Sequence, residues 1–467
     1  MMPRLLWSAF AVLCLLAPSL RAQSTPDFAA ARNETLLLLQ NLIGIDTSNP
    51  PGNETKLAEH LKSILDKEGI ASEIIAREPS RGNLVARLKG SGKKKPLLLM
   101  GHSDVVGVQR DKWTVDPFAA VIQDGYIYGR GSMDDKSGIA AMFQVFRMIH
   151  RQKLPLDRDI IFLAEAGEES SPSFGIDFLI EHHWPKIECE VALNEGGFTV
   201  VKDGKVQYVA VSTTEKVPDT TRLVARGASG HGSMPRPDNA IVRLAAAVAK
   251  VGQYQPPMRL NETTRTFFQR LATISPPEEA FLYSHLEDPL VGNLVQETLR
   301  KTNPLYNSML RTSISPNIIQ GGFRSNVIPA EAEATLDIRA LPDEDMEAFI
   351  ADLRRVIDDP SIEIIEAGRD RPSAPPPPLT SEMFVALEHA QTVVFPNAIT
   401  LPQMITGATD SAPLRARGVQ AYGVGPTVSA DDMTRMHGND ERLSIEGLGH
   451  FVEYLYRAVV DVAAARQ

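Results

Sequence analysis

Five side chains in this sequence, His102, Asp134, Glu169, Glu195 and His437, are of the types that bind divalent cations. Imidazole and carboxylate together suit zinc, cobalt or manganese. A two-metal site with ions ~3.5–4 Å apart needs about three ligands per ion with one carboxylate shared, and these five residues supply that inventory. The chemistry of such a site is hydrolysis, because bound ions bring a water toward a pKa of ~7. The shared carboxylate is best sought at Asp134, inside Gly129-Arg130-Gly131-Ser132-Met133-Asp134-Asp135-Lys136-Ser137-Gly138. This glycine-rich stretch opens an amphipathic segment, Ile139 to Arg151. Taken singly each residue is weak: a lone histidine beside a strand more often serves a core or a surface, and a Glu-Glu pair is usually a solvated turn. Their joint occurrence just past strands carries the reading.

The elements that must position them alternate in type. Asp27 to Ile43 and Leu57 to Lys67 have apolar residues at helical spacing, with the loop Asp46 to Gly52 between them. Asn83 to Leu88 and Pro96 to Met100 read as strands, the second a fully apolar run of the kind buried in a parallel sheet. Gly101-His102-Ser103-Asp104 follows it. Asp159 to Ala164 is another apolar strand, and it runs into Glu165-Ala166-Gly167-Glu168-Glu169. Phe174 to His182 reads as a helix, and Val191 to Leu193 as a strand ending in Asn194-Glu195-Gly196-Gly197. Strands alternating with helices predict an α/β body with a mostly parallel sheet covered by helices. Three candidate sites then fall beyond the carboxyl ends of strands, where open α/β sheets bind ligands.

The pattern changes near Ser212. Arg222 to Arg226 is strand-like, and a glycine-rich loop from Gly227 to Pro235, which contains His231, leads into a helix from Ala240 to Val251. Residues 257–310 are helical and irregular, without metal-ligand spacing. Asn317 to Gly322 and Ala332 to Arg339 read as strands and Met346 to Ile357 as a helix, and no sheet in this section is expected to bear a site. The prolines between Pro372 and Pro378 make a stiff connector. A helix from Glu382 to Val394, a strand from Ala421 to Val424 and a helix from Ser444 to Val462 complete the chain, with His437 between the last two.

At 467 residues, 43% hydrophobic and 23% charged, the chain is long enough for two domains and has the balance of an ordinary soluble globular protein. A formal net charge of -10, with only short basic runs such as Lys93-Lys94-Lys95, argues against a nucleic-acid partner. The N-terminus reads as a secretory signal: Arg4, then an apolar run from Leu5 to Ala17, then a cleavage site at Ser19-Leu20-Arg21-Ala22. The run is short for a membrane span, and an uncleaved anchor is the alternative. Once Cys14 is removed only Cys189 remains, so no intramolecular disulfide can form. A secreted or periplasmic protein without a membrane span after cleavage is expected.

In order along the chain, His-x-Asp after an apolar strand, Gly-Arg-Gly-x-x-Asp-Asp-Lys before a helix, Glu-Glu after a strand, Asn-Glu-Gly-Gly and a late histidine form a set. It resembles the dizinc metallopeptidase family of aminoacylase, glutamate carboxypeptidase, carboxypeptidase S and succinyl-diaminopimelate desuccinylase. The resemblance spans nearly all of the chain beyond the leader. It implies that His102, Asp134 and Glu195 hold one metal ion and Asp134, Glu169 and His437 the other, with zinc foremost and cobalt or manganese as alternatives. It further implies a cis peptide after Asp134, an Asp104 side chain bonded to the far nitrogen of His102, and Glu168 as the base that moves the proton. The family often has Asp where this chain has Gly167. Residues 214–370 would form an inserted α+β lid or dimerisation domain, dividing the catalytic domain into residues 23–213 and 371–467 behind a signal peptide over residues 1–22. From that lid His231 would reach a neighbouring active site and polarise the scissile carbonyl, which implies a homodimer. Asn326 and Arg339 would bind the substrate's carboxylate, the arginine through its planar fork, and Thr409 in Gly407-Ala408-Thr409-Asp410 would line the substrate. His182, His183, His285, His389 and His450 match no motif and are expected to be structural or exposed.

These readings converge on a dimetal hydrolase that cleaves an amide bond next to a free carboxylate, as in an N-acyl amino acid or a peptide C-terminus. The expected partner is a small molecule or short peptide carrying that carboxylate. A dipeptidase or other exopeptidase is the nearer alternative, and a metal-bound but inactive module the more distant one.

Overall fold

The computed structural model describes residues 26–369 and 371–465. The leader expected over residues 1–22 lies outside them. A run of apolar residues with no polar alternation must bury both faces, and every residue of the strand Leu97–His102 is buried. Its alternate positions enter different cores. Leu97 and Leu99 join the cluster built by the helices Phe28–Ile43, Glu54–Lys67, Lys136–Gln152, Glu382–Val394 and Ile445–Ala463. Leu98 and Met100 pack on the opposite face with Ile176, Leu179 and Leu414. Ile160–Glu165 repeats the pattern, with Ile160 and Phe162 on the first side and Ile161 and Leu163 on the second. The result is an α/β body with helices on both faces of one sheet.

Across that ten-stranded sheet the order is Ser72–Ala76, Gly82–Leu88, Ile160–Glu165, Leu97–His102, Val191–Asn194, Gln420–Gly423, Lys205–Glu215, Phe198–Lys202 and Thr427–Ser429, with Ile399–Ile405 also paired to Lys205–Glu215. The four strands around Leu97–His102 and Val191–Asn194 run parallel, and antiparallel pairs flank them. Register decides where the site forms. His102 is level with Glu165, and Asn194 with Gly423. The strand ends therefore deliver Asp104, the segment Ala166 to Glu169 and Glu195 to one rim.

A second, antiparallel sheet has the order Ser313–Gly321, Glu331–Ala340, Val217–Arg226 and Ile362–Arg369. The helices Ala240–Gln253 and Met346–Ile357 cover one face through Leu244, Phe349, Ile350 and Leu353. Each starts on a side-chain cap, Asn239 accepting from the amide of Ile241 and Asp345 from that of Ala348. Burial alternates residue by residue along Glu331–Ala340, as in a sheet with one covered face. This strand carries Arg339 to the cavity described below.

Some strands carry no sequence signal. Lys205–Glu215 begins exposed and ends wholly buried, so neither an alternating pattern nor an apolar run marks it. The helix read from Phe174 starts later, at Ile176, after a short 3-10 turn over Pro172–Phe174. Among the described residues no helix is long and apolar enough to cross a membrane.

Candidate metal centre and active site

His102 ends its strand almost fully buried, with Nε2 2.9 Å from Asp134 Oδ1 and 3.9 Å from Glu195 Oε1. Asp134 Oδ2 lies 3.0 Å from His437 Nε2, which is 2.9 Å from Glu169 Oε1. Two groups of three donors result, one of His102, Asp134 and Glu195, the other of Asp134, Glu169 and His437. Within each the ligand atoms are all within 4.8 Å of one another. Asp134 belongs to both.

The electrostatics of the cluster ask for cations. Burial opposes a charge on His102, yet hydrogen bonds to Asp104 and Asp134 and the charge of Glu195 hold its pKa well above the usual imidazole range. Asp134 and Glu169 push His437 up to about 10. Burial, then the charge of Asp134, raises Glu195, and burial, then Asp410, raises Glu168. Glu169 Oε1 is buried and, although near the ring of His437, accepts no aligned hydrogen bond. Crowded, poorly solvated carboxylates with two imidazoles are a donor set that fits two divalent ions.

Glu441, fully buried, holds the loop that carries Asp134. Its Oε1 accepts from the amides of Met133 (2.8 Å) and Asp134 (3.2 Å), and its Oε2 from the amide of Gly131 (3.2 Å) and Arg130 Nη1 (2.5 Å). Arg130 Nη2 also donates to the carbonyl of Gly438 at 2.7 Å, so one ion pair ties the segment of Asp134 to that of His437. The peptide joining Asp134 to Asp135 is cis. The Asp135 carboxyl occupies space that a Cβ on Gly101 or Gly138 would enter, at 2.4 and 2.2 Å. Burial raises it to about 8.

Asp104 departs from expectation. Its main-chain carbonyl, not its carboxylate, lies 3.0 Å from His102 Nδ1, and the carboxylate is 3.6 Å away. The carboxylate instead accepts from three successive amides, Gly167, Glu168 and Glu169, at 3.0, 3.1 and 3.2 Å, and from Asn49 Nδ2 at 2.9 Å. The His102 ring still favours the charge of this carboxylate, while the converging amides fix its direction. Gly167 adopts φ +86°, a conformation open to glycine and strained for an aspartate.

Glu168, Glu169, Ser170, Arg339, Arg371 and Ala408 line a cavity of about 740 Å³. Arg339 is held by Asp337 of its own strand at 2.9 Å. Thr409 does not line this cavity. Its hydroxyl and amide both donate to Glu215 at 2.9 Å, because that buried carboxylate needs donors, and Ala408 is the loop residue that reaches the cavity. His231 pairs with Val327 in a small two-stranded ladder and Asn326 adjoins it, with the amide of Gly232 donating to the carbonyl of Asn326 at 2.8 Å. Among the described residues no hydrogen bond or ion pair joins either one to the two donor groups. His285 stacks on Phe281, His450 packs on Phe395 and His389 pairs with Asp461, all away from the centre.

Two residues escaped the sequence reading. Glu441 and Arg371 contact their partners 311 and 203 residues away. The only local signals were a carboxylate one helical turn's length past His437 and an arginine ahead of the proline run.

Residues 98–461 match the model of peptidase family M20/M25/M40. The chain belongs to the M20 peptidase family. Over 389 residues it is 32% identical to a probable carboxypeptidase S-like 2 of Dictyostelium discoideum, covering 81% of this chain and 74% of that protein. Over 464 residues it is 26% identical to the N-fatty-acyl-amino acid synthase/hydrolase PM20D1 of Homo sapiens, covering 95% and 90%. Among solved structures, the M20 family metallo-carboxypeptidase Sso-CP2 from Sulfolobus solfataricus aligns with a TM-score of 0.67 at 19% identity, over 91% of this chain and 99% of that one. This M20 chain is accordingly a hydrolase of the metallopeptidase type, with the fold of M20 enzymes.

Proposed function

We propose that this M20 chain is an exported dimetal hydrolase that cleaves an amide bond adjacent to a free carboxylate, in an N-acyl amino acid or at the C-terminus of a short peptide. The observation that carries the reading is Asp134, whose two oxygens face His102 and His437 while Glu195 and Glu169 each complete one triad. Bound divalent ions, zinc foremost, would supply Lewis acidity and a water with a pKa near ~7. The chain's own residues do the rest. Glu168 takes a proton on the oxygen not paired with Arg371 and returns it to the departing amide nitrogen. Arg339, through Nη1, the arm not bonded to Asp337, receives the substrate's carboxylate, with Asn326 brought, like its neighbour His231, from a second copy of the chain.

His231 acts from a second copy of the chain. Its Nδ1 accepts from the Ser233 amide at 3.1 Å, which leaves the proton on Nε2. That nitrogen has no hydrogen-bond partner among the described residues, so it is free to donate to a carbonyl oxygen. The outer strand Ser313–Gly321 and the helix Ala240–Gln253 support a dimer, for Ile318, Ile319, Ile241 and Val242 are exposed there. The names of the two relatives speak of a carboxypeptidase and of N-fatty-acyl amino acids, and both substrate types set a carboxylate beside the scissile amide. The apolar leader supports export to the periplasm or the exterior.

The test is hydrolysis of a panel of N-acyl amino acids and dipeptides by the chain stripped of metal and then reloaded with zinc. Turnover that returns with zinc, and falls when the substrate's carboxylate is converted to an amide, is the expected result. A folded protein with two bound ions and no turnover on any member would refute the reading.

A further inference from the structure

Arg371 stands where the chain returns from the four-stranded sheet, just beyond Ile362–Arg369 and immediately before Pro372. It is 8% exposed. Its fork grips two carboxylates, Nη1 donating to Asp410 and Nη2 to Glu168 Oε1 at 3.2 Å. Glu168 is thereby fixed at two points. Its amide is tied to Asp104 at 3.1 Å and its carboxylate to Arg371, while Oε2 has no hydrogen-bond partner among the described residues. Asp410 follows Thr409, which bonds Glu215, the last residue of Lys205–Glu215 and the point where the chain leaves the large sheet. Arg415 Nη1 pairs with the same Glu215 at 2.8 Å. Both crossings between the two sheets therefore meet in one buried polar cluster, and Glu168 is attached to it through Arg371.

We infer that Arg371 is a positioning residue, one that turns Glu168 Oε1 away and leaves Oε2 toward the reaction; this rests on the reading of Glu168 as the base. A guanidinium suits the task because its planar fork holds two carboxylates in fixed relative directions, which a lysine ammonium cannot do. Without it Glu168 would face the carboxylates of Asp410 and the buried Glu165 with no guanidinium between them. Arg371 is not free to hold a substrate carboxylate as well, since both arms of its fork are engaged.

The experiment compares Arg371→Lys and Arg371→Gln with the parent enzyme on its best substrate, with Glu168→Gln as a second background. The expected result is a kcat lower by roughly 10–100-fold with KM within about twofold, since a misplacement of about 1 Å can cost 10²-fold. Two ions per chain are retained, and no further loss follows when Arg371→Lys is added to Glu168→Gln. A raised KM at unchanged kcat would overturn the inference in favour of a substrate anchor. Multiplicative losses in the double variant, or fewer bound ions in Arg371→Lys, would overturn it in favour of a structural role. If Arg371→Gln does not fold, Arg371→Lys with its charge intact carries the same measurements. Turnover by the parent enzyme reports separately on the proposed function.

Discussion

At the scale of single residues, the site asks each side chain for one protonation state and one direction. In the proposed function Glu168 accepts and returns a proton without holding a metal ion, so Glu168→Gln is expected to lower kcat by ~10²–10⁴-fold while two ions remain bound, checked by steady-state kinetics and metal analysis. Glu441 has to hold the loop of Asp134. Glu441→Gln leaves the Arg130 guanidinium buried without its partner, and the expected loss of stability is ~3–5 kcal/mol, read as a lower urea midpoint. Cys189 is buried and its thiol is pushed up to about 12 by burial, so a thiol reagent at neutral pH is expected to leave the native protein unmodified and to label Cys189 only in denaturant, as mass spectrometry would resolve. The candidate donor residues were legible because chemistry limits metal ligands to few residue types and because all but His437, which sits in a late loop, end or follow an apolar strand or open a helix. Arg371 and Glu441 were not, because a charged residue's worth depends on a partner hundreds of positions away.

At the scale of elements, legibility followed burial. Leu97–His102 and Ile160–Glu165 are apolar on both faces, which leaves a sequence no other economical reading. Strands that pass from solvent to core along their length, like Lys205–Glu215, mix both signals and were missed. The junction after that strand carries a buried cation. Lys216 Nζ donates to the carbonyls of Arg311 and Arg339, and burial lowers its pKa to about 7. An unfolded lysine titrates near ~10.4, so between about pH 7 and pH 10 the unfolded chain holds a proton that the folded one lacks. Stability from this group is complete above the unfolded pKa, falls as pH drops through that window, and is constant below it. Relative to Lys216→Met, the parent protein is expected to gain up to about 1.4 kcal/mol per pH unit between pH 7.5 and 10, measured by urea unfolding at a series of pH values. A difference flat with pH would mean that Lys216 stays charged in the fold.

At the scale of the whole molecule, metal and fold are coupled. The donor groups draw on strand ends and loops from Leu97–His102 through to His437, so ions that bind only the folded chain must stabilise all of it. Zinc at about 100-fold over its Kd is expected to raise the unfolding free energy by at least about 2.7 kcal/mol, and a chelator to remove that gain, seen as a shift in the thermal midpoint. An unchanged midpoint would mean that the donors do not bind as a set. The sheet's strand order could not be read from the sequence, since nothing local tells Gln420–Gly423 to lie between Val191–Asn194 and Lys205–Glu215. That placement governs biosynthesis. A nascent chain that has emerged only as far as the proline run already contains most of the large sheet, but with a gap through its middle and one open strand edge on either side. The gap closes only when the final segment arrives, and the same segment brings His437. On the proposed function, catalytic competence would thus be conferred late in synthesis, and a prematurely terminated product would present open strand edges for chaperones or proteases to recognise.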